Sequence, residues 1–321
     1  MDTGTVQQAG LRSTASRRAL RPNALERMRK HWGLYVLLAP GLAYLIVFEI
    51  FPIYGLQLAF KDYSISAGIL RSPWVGLDHF RQFFQSWGAS KIITNTVILS
   101  VYQLAIGIPI NIGFALCLNW LANRRYKRIV QTVTYAPHFI SMVVVVGMMS
   151  ILLNPTTGPI NQFVEALGGD SVYFFGRKDL FRHLFVWSGV WQNTGWGAVI
   201  FLAALSSVNL ELYESARMDG ANKPQLIWHV DLPTIKPTII VVSLLAVGRV
   251  MTLNFEKVLL MQTPLNTETS EIIQTFVYKV GLENFQVGYG TAVGLFNSVI
   301  NASLLLLFNS LSRKFSKESL W

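Results

Sequence analysis

Polar side chains that interrupt apolar stretches are the residues of this chain that could handle a polar solute, and Arg249 is the most unusual of them. It lies 12 residues after Pro237, which on an unbroken helix is about 18 Å, and so it is expected near mid-membrane. A bare charge there costs at least about 2.5–3.5 kcal/mol on insertion scales. Arg249 therefore predicts contact with an anionic solute or a structural ion pair, with Glu49 or with another subunit. Asn254 and Glu256 follow in the same stretch and could bind the same solute.

Two further groups of side chains have the chemistry to contact a sugar. Trp191, Gln192 and Asn193 are consecutive in another apolar stretch. An indole face can stack on a sugar ring, and an amide can hydrogen-bond hydroxyl groups. Asn297 and Asn301 stand four residues apart in the last apolar stretch, which predicts a polar stripe on one helix face. The alternative for the indole group is packing within an interfacial aromatic belt, and the residues alone leave both open.

A polar stretch between two apolar ones carries the signals of two short helices. Asn209 is the expected N-cap of the first helix, which spans residues 212–219. Gly220 is placed where a C′ glycine ends a helix. Pro224 suits the first turn of a second helix that runs to about Val230. The sequence therefore predicts a helix–glycine–helix elbow at the membrane surface.

The far end of this elbow and its exposed face extend the prediction. Leu232 and Pro233 are expected to end the second helix, after which Pro237 opens the next apolar span. On the first helix, Glu214 and Arg217 share one face because they are three residues apart. An ordinary solvated loop and a docking surface for a soluble partner both fit this pattern.

Composition places these groups in a membrane protein. Of 321 residues, 52% are hydrophobic and only 14% are charged, against roughly 25% charged in soluble domains. The net charge is +10, but the basic residues flank apolar stretches, which indicates orientation and anionic lipid rather than nucleic acid. Cys117 is the single cysteine of the sequence and lies in an apolar stretch, so a disulfide framework within the chain is excluded.

Six apolar stretches are long enough to cross a bilayer as helices, since a crossing takes about 20 residues. Lys and Arg are denser in one set of connecting segments, above all at residues 122–128, which predicts that both termini are cytoplasmic. The chain then divides into a basic tail with an interfacial helix (1–33), a six-helix domain (34–312) that contains the elbow loop (207–237), and a C-terminal tail (313–321). The predicted spans are residues 34–60, 92–121, 129–153, 184–206, 238–261 and 288–311.

The elbow resembles the "EAA" coupling motif of importer permeases in the ATP-binding-cassette superfamily, whose form is Glu-Ala-Ala-x-x-x-Gly-x(9)-Ile-x-Leu-Pro. The chain departs from the pattern at Ser215, where a small residue replaces the first alanine. In such permeases the elbow docks into a groove of the ATPase subunit. The resemblance implies that Glu214 forms a salt bridge there and that Gly220 makes the bend. The matching residues are Glu214, Ala216, Asp219, Gly220, Ala221, Leu232 and Pro233.

Further segments are similar to the subgroup of complex-oligosaccharide permeases, which includes lipoprotein-linked polysaccharide permeases and a permease subunit of alginate importers. The similarity covers nearly the whole chain from Leu34 on. The segments are residues 38–41, 52–55, 59–63, 72–77, 135–141 and 318–321.

These resemblances imply an all-α type I ABC importer permease with six transmembrane helices in the bacterial inner membrane. They imply as partners a second homologous permease, two ATPase subunits, an extracytoplasmic solute-binding protein and an oligosaccharide, with acidic alginate or pectin fragments among the candidates. ATP and magnesium would bind at the ATPase subunits, so this chain is expected to hold no cofactor. Motion of the ATPase dimer would reach the spans through residues 211–233 and alternate the access of the path.

Motifs of catalysis and metal binding are missing from the sequence. It has no Walker A pattern, no H-E-x-x-H and no G-x-S-x-G, and its five histidines are scattered. No catalytic or metal-binding residue is therefore predicted. Two other classes stay open on the residues alone, an ion-coupled secondary sugar transporter and a membrane scaffold that does not transport.

Overall fold

The computed structural model describes residues 31–316, with side chains to residue 314. Within these residues the secondary structure is helical and contains no β-strand, so the predicted all-α fold is confirmed. Residues 1–30 of the predicted basic tail (1–33) and the segment 318–321 lie outside the described residues. The last helix continues to Ser316, into residues that the sequence assigns to the C-terminal tail.

Four described helices are long and apolar enough to cross a membrane, and six spans result if each of two bent helix pairs is one span. Contacts divide the chain after Gly55, and the first helix up to that residue forms a unit of its own. The principal helices are α1 (Trp32–Phe60), α2 (Ala89–Asn119), α3 (Arg124–Tyr135), α4 (Met142–Leu152), α5 (Lys178–Ser206), α6 (Leu210–Met218), α7 (Lys223–Val247), α8 (Phe255–Met261) and α9 (Val287–Ser316).

Shorter helical segments lie between the principal helices, and π and 3-10 turns occur within and between them. The tightened or widened turns are Ile46–Ile50 (π) and Tyr54–Phe60 (3-10) in α1, Ala136–Phe139 and Phe174–Gly176 (3-10), Ile227–Asp231 (π) in α7, and Lys279–Glu283 (π). The short α-helices are Gly68–Arg71, Asp78–Gln85, Pro159–Ala166, Thr267–Ser270 and Ile273–Tyr278.

The predicted third span (129–153) is not one straight helix. α3 and α4 meet at an angle of 101°. Pro137 lies in the 3-10 turn between them, where it cannot donate a helical hydrogen bond. Ser141 then begins a new helix, because its side chain caps the Val144 N–H of α4.

The predicted fifth span (238–261) is also interrupted, and this corrects the expected position of Arg249. The α7 helix ends at Val247 and α8 begins at Phe255, so residues 248–254 form a non-helical break. Arg249 and Asn254 are therefore in the break rather than on a continuous helix. The residue count along the chain does not measure membrane depth here, because the rise of 1.5 Å per residue applies only to helix.

Three apolar clusters hold the second unit together. One lies between α5, α8 and the start of α4, around Phe181 and Phe185. A second packs the helix Asp78–Gln85 against α9, around Phe83. The third joins the C-terminal parts of α2 and α5 to the first half of α7, around Phe201 and Ile235. The close packing of α5 depends on small residues, since a Cβ on Gly195 would lie 2.2 Å from the Thr134 carbonyl oxygen.

Candidate functional site

The elbow has the local structure that the sequence predicts. The Asn209 side chain accepts a hydrogen bond from the Glu211 N–H and caps α6. Gly220 ends the helix with φ +84°, a left-handed conformation that glycine adopts at little cost. The Gly220 N–H bonds to the Arg217 carbonyl and the Ala221 N–H to the Ala216 carbonyl, at 3.0 and 2.9 Å. These two bonds are the pattern of a Schellman turn.

The second half of the elbow begins with a reciprocal cap and does not end where the sequence predicts. Asn222 and Gln225 form a capping box at the start of α7. Leu232 and Pro233 do not terminate this helix, which continues to Val247. A π turn accommodates them, because the Leu232 N–H bonds to Ile227 five residues back, and this wider turn relieves the strain that a proline places on a helix.

The first helix of the elbow and the turn that follows it present their charged residues to solvent. Glu214 and Asp219 are exposed and make no ion pair with the described residues. Ala216 and Ala221 line a cavity of about 270 Å³ between α6 and α7, together with Gly220 and Asp219. Small side chains at these positions leave this cavity open, and the carboxylates of Glu214 and Asp219 are free to pair with a basic partner.

Asp231 anchors the elbow to the bundle, and the sequence analysis did not select it. Its side chain is completely buried. One carboxylate oxygen accepts a hydrogen bond from Trp120 Nε1 at 2.7 Å, and the other accepts one from the Tyr213 hydroxyl. Burial, and then the hydrogen bond to Asp231, raises the pKa of Tyr213. A carboxylate between the apolar residues Val230 and Leu232 was the available signal.

The break in the fifth span is held by side chains from distant segments. The Asn301 side chain of α9 accepts a hydrogen bond from the Met251 N–H at 2.9 Å and donates one to the Thr252 hydroxyl at 2.9 Å. Gln274 donates to the Met251 carbonyl. Asn301 therefore satisfies backbone that has left the helix, and its place in a solute path stays a prediction.

The charged residues around the break have different surroundings. Arg249 is exposed and makes no ion pair among residues 56–314. Asn254 caps α8 through the Lys257 N–H, and Glu256 is exposed in the first turn of that helix. Lys257 is buried, with Nζ 2.8 Å from the Phe185 carbonyl oxygen. Arg249 is thus the cation of this region that is available to an outside ligand.

A cavity of about 640 Å³ lies beside the break, between α9 and residues 252–282. Thr252 and Asn297 line it together with Gln274. The Asn297 Oδ1 and Gln274 Oε1 atoms are buried and have no hydrogen-bond partner among the described residues. Most of the lining is apolar, with a few polar atoms that could orient a bound hydroxyl group.

The predicted sugar-contacting residues of α5 separate into two environments. Trp191 is half-exposed, whereas Gln192 is buried and donates to the Ile140 carbonyl at 3.0 Å. The Asn193 side chain lies 3.0 Å from the His138 ring nitrogen. Gln192 and Asn193 thus connect α5 to the link between α3 and α4, and Trp191 is the one of the three with a free ring surface.

A polar network joins the starts of α2 and α5 to the segment Thr267–Ser270. Glu268 lies 3.4 Å from Lys91 Nζ and 2.8 Å from Lys178 Nζ. The hydrogen bonds from Lys178 and Lys91 lower the pKa of Glu268. All three side chains are about half-exposed, so these pairs contribute little stability.

The structure thus brings the predicted residues into two groups. The elbow residues from Glu214 to Pro233 form one continuous unit. Around the break, Arg249 and Asn254 lie within it, Glu256 follows it, Asn301 binds its backbone and Asn297 lines the cavity. Trp191, Gln192 and Asn193 lie apart from both groups on α5, with Gln192 buried. No group of three or more potential metal ligands occurs within the described residues.

A multi-pass helical bundle with an exposed elbow and an interrupted span is typical of a transport subunit. The model of the family described as "Binding-protein-dependent transport system inner membrane component" matches residues 91–317. The chain belongs to this family of ABC importer permeases, which are multi-pass inner-membrane proteins and are not catalysts. The resemblance of the elbow motif to that of ABC importer permeases is therefore confirmed as family membership.

The chain is similar to named permeases over nearly its whole length. It is 40% identical to "Protein LplB" of Bacillus subtilis (strain 168) over 293 residues, 91% of this chain and 92% of that protein. It is 36% identical to the "Polygalacturonan/rhamnogalacturonan transport system permease protein YteP" of the same strain, which it matches over 100% of both chains.

Solved structures give the same result at the level of the fold. A chain of a bacterial ABC transporter involved in the import of the acidic polysaccharide alginate is 36% identical, with a TM-score of 0.85 over 91% of this chain and 99% of that chain. A chain of a bacterial alginate ABC transporter in complex with an alginate pentasaccharide-bound periplasmic protein gives a TM-score of 0.86, also at 36% identity, over 92% and 99%.

Proposed function

We propose that this chain is one of two permease subunits in an ATP-driven importer of acidic oligosaccharides built from uronate sugars. The observation that carries the proposal is similarity at 36% identity, over 91% of this chain or more, to a chain of an alginate importer and to a permease named for polygalacturonan transport. Both polymers are rich in carboxylates. A solute that carries carboxylates would form an ion pair with the exposed Arg249 side chain.

The complex would contain this chain, a second homologous permease, two ATPase subunits and an extracytoplasmic solute-binding protein. The elbow would face the cytoplasm with both chain termini on the same side. Glu214 would pair with a basic residue of an ATPase subunit, since its carboxylate is exposed and unpaired among the described residues. ATP and magnesium would bind at the ATPase subunits.

The solute path would pass the break in the fifth span. Broken helices are where transporters bind polar solutes, because unwound backbone and helix ends offer hydrogen-bonding groups at membrane depth. Arg249 would attract a uronate carboxylate. The unpartnered amide oxygens of Asn297 and Gln274 would accept hydrogen bonds from sugar hydroxyls. Asn254 and Glu256 would contribute polar contacts at the rim of the break. Trp191 would offer a ring surface on which a sugar stacks.

The access of this path would alternate with the nucleotide state of the ATPases. ATP closes the ATPase dimer, α6 moves with it, and the spans open outward to receive sugar from the binding protein. Hydrolysis then returns the path to the inward side. The residues of this chain bind and orient sugar or transmit motion, and they make or break no covalent bond.

The test is ATP hydrolysis and uptake by the reconstituted complex in proteoliposomes, with uronate and neutral oligosaccharides matched in length. The proposal predicts that binding protein loaded with a uronate oligosaccharide stimulates ATP hydrolysis and that neutral sugar does not. Stimulation by the neutral sugar alone would overturn the substrate assignment. Uptake that persists without the ATPase subunits would overturn the importer mechanism in favour of ion-coupled transport.

A further inference from the structure

Asp231 lies where three helices meet at the base of the elbow. Tyr213 is on α6, Trp120 directly follows α2, and Asp231 itself belongs to α7. Both carboxylate oxygens are occupied, one by the Trp120 indole N–H and the other by the Tyr213 hydroxyl. The two rings also pack edge-on, with centroids 5.9 Å apart and an interplanar angle of 82°. A single buried carboxylate therefore ties the elbow helix to two spans.

This hydrogen-bonded connection is important because α6 makes few other contacts with the bundle. None of its side chains is fully buried, and Tyr213 is only partly covered. Beyond Asp231, the Tyr213 side chain also hydrogen-bonds to Asn119 at the end of α2. The side-chain hydrogen bonds of Asn209 and Ser215 are to neighbours within the elbow. Apolar packing allows a helix to slide, whereas a hydrogen bond to a buried charge fixes position and direction.

Stability alone gives little reason for a carboxylate at this position. Burying a charged group is expensive even when hydrogen bonds satisfy it, and apolar replacements of similar volume are often as stable. What the carboxylate supplies here is two acceptors in fixed directions on opposite sides of one residue. A neutral or apolar side chain could fill the space but could not hold both Tyr213 and Trp120.

We infer that Asp231 is the positioning residue that transmits displacement of α6 to the cytoplasmic ends of α2 and α7. A push on α6 reaches α2 through Tyr213, Asp231 and Trp120, and it reaches α7 through the backbone of Asp231. The inference rests on the proposed function, in which the ATPase subunits move α6. Asp231 lies outside the face of α6 that would dock on the ATPase. Through its contacts, docking would be converted into movement of the spans.

The measurement is the coupling ratio, sugar transported per ATP hydrolysed, in the reconstituted complex. Asp231→Ala removes both acceptors and should lower the ratio about tenfold, which corresponds to about 1.4 kcal/mol. ATPase subunits should still copurify with the variant, because the exposed face of α6 is unchanged. Asp231→Asn keeps one acceptor and should restore part of the ratio.

Two milder variants test the same chain of contacts without removing the carboxylate. Tyr213→Phe and Trp120→Phe each delete one donor and keep an aromatic ring in place. Each should lower the coupling ratio, and Tyr213→Phe should add little in the Asp231→Ala background, because the contact is already lost. If Asp231→Ala fails to assemble, these two variants decide the result.

Asn161→Ala is the control for a purely structural effect. Asn161 is also buried and makes several hydrogen bonds, but they lie within one surface loop far along the chain from the elbow. This variant should lower assembly and transport together and leave the ratio unchanged. The inference is overturned if the Asp231 variants and the aromatic variants also keep the normal ratio. If the unmodified complex shows no sugar-stimulated ATP hydrolysis, the proposed function has failed instead.

Discussion

The elbow and the break in the fifth span both interrupt helices, but their causes lie at different distances along the chain. The elbow is produced by neighbours: Asn209 caps α6, Gly220 ends it with a positive φ, and Asn222 starts the next helix. The break is held by Asn301 and Gln274, which are 50 and 23 residues from the Met251 backbone that they bind. The first interruption is therefore local, and the second depends on the assembled bundle.

The difference predicts different responses to substitution. In a membrane, backbone that leaves a helix must find hydrogen-bond partners inside the protein. Changes at the break should therefore disturb the fold together with solute handling. Changes at the elbow, where the surface is exposed, should disturb coupling and leave the bundle intact.

The largest effect is expected at the docking face of the elbow. Glu214→Lys inverts an exposed charge and should weaken ATPase association by at least about 2 kcal/mol, or roughly 30-fold, with a matching loss of uptake. Copurification of the ATPase subunits and sugar uptake measure the result. Glu165→Lys makes the same change on the exposed helix Pro159–Ala166 and should have little effect. Normal ATPase association in Glu214→Lys would contradict the docking role.

The next largest effect is expected at the break. Asn301→Leu leaves the Met251 N–H and the Thr252 hydroxyl without their partner, which should lower stability by about 1–3 kcal/mol. Thermal unfolding of the purified complex in detergent measures this loss. Ser310→Ala is the control on the same helix, since its side chain is exposed and bonds only to its own helix at Leu306. Equal melting temperatures for the two variants would show that Asn301 does not hold the break.

A more selective effect is expected from the exposed cation beside the break. Arg249→Gln should raise the uronate oligosaccharide concentration for half-maximal transport about tenfold, because a charge-assisted hydrogen bond is lost. Transport of a neutral oligosaccharide, if present, should be unchanged. Arg71→Gln removes an exposed cation from the short helix Gly68–Arg71 and serves as the control. An equal loss of transport for the uronate and the neutral sugar, together with a lower melting temperature of the complex, would instead indicate that Arg249 forms a structural ion pair with another subunit.

The smallest effect is expected from a change confined to one turn. Gly220→Ala places a side chain at φ +84°, and Gly168→Ala places one at φ +85°, with nothing within 4 Å in either case. Each should therefore lower stability by about 1–2 kcal/mol. Only the change at Gly220 should also reduce the coupling ratio. If both variants reduce that ratio equally, the bend at Gly220 has no special role in transmission.

Sequence patterns located the features that depend on composition and on neighbouring residues. The apolar stretches fixed the class of protein and the approximate spans, because burial in lipid requires about 20 apolar residues whatever the rest of the chain does. The Asn209 cap and the Gly220 turn were predictable for the same reason, since each acts on backbone within a few residues. The bend at Pro137 carried a local signal in the proline, although the sequence analysis extended the span through it.

Other features could not be predicted from neighbouring residues. Pro233 was expected to end a helix, and only a π turn in the assembled α7 shows how the helix continues. Asn301 was expected in a solute path, and its bonds to Met251 and Thr252 exist only because α9 lies beside the break.

By itself, therefore, the sequence determined a membrane bundle, its approximate spans and an elbow with an exposed Glu214. The tertiary structure alone decided that residues 248–254 leave the helix, that Arg249 is exposed, and that Asp231 joins three helices. The physical reason is hydrogen bonding in a medium that excludes water. Each buried donor or acceptor needs a partner, and when that partner is far along the chain, only the folded arrangement of helices identifies it.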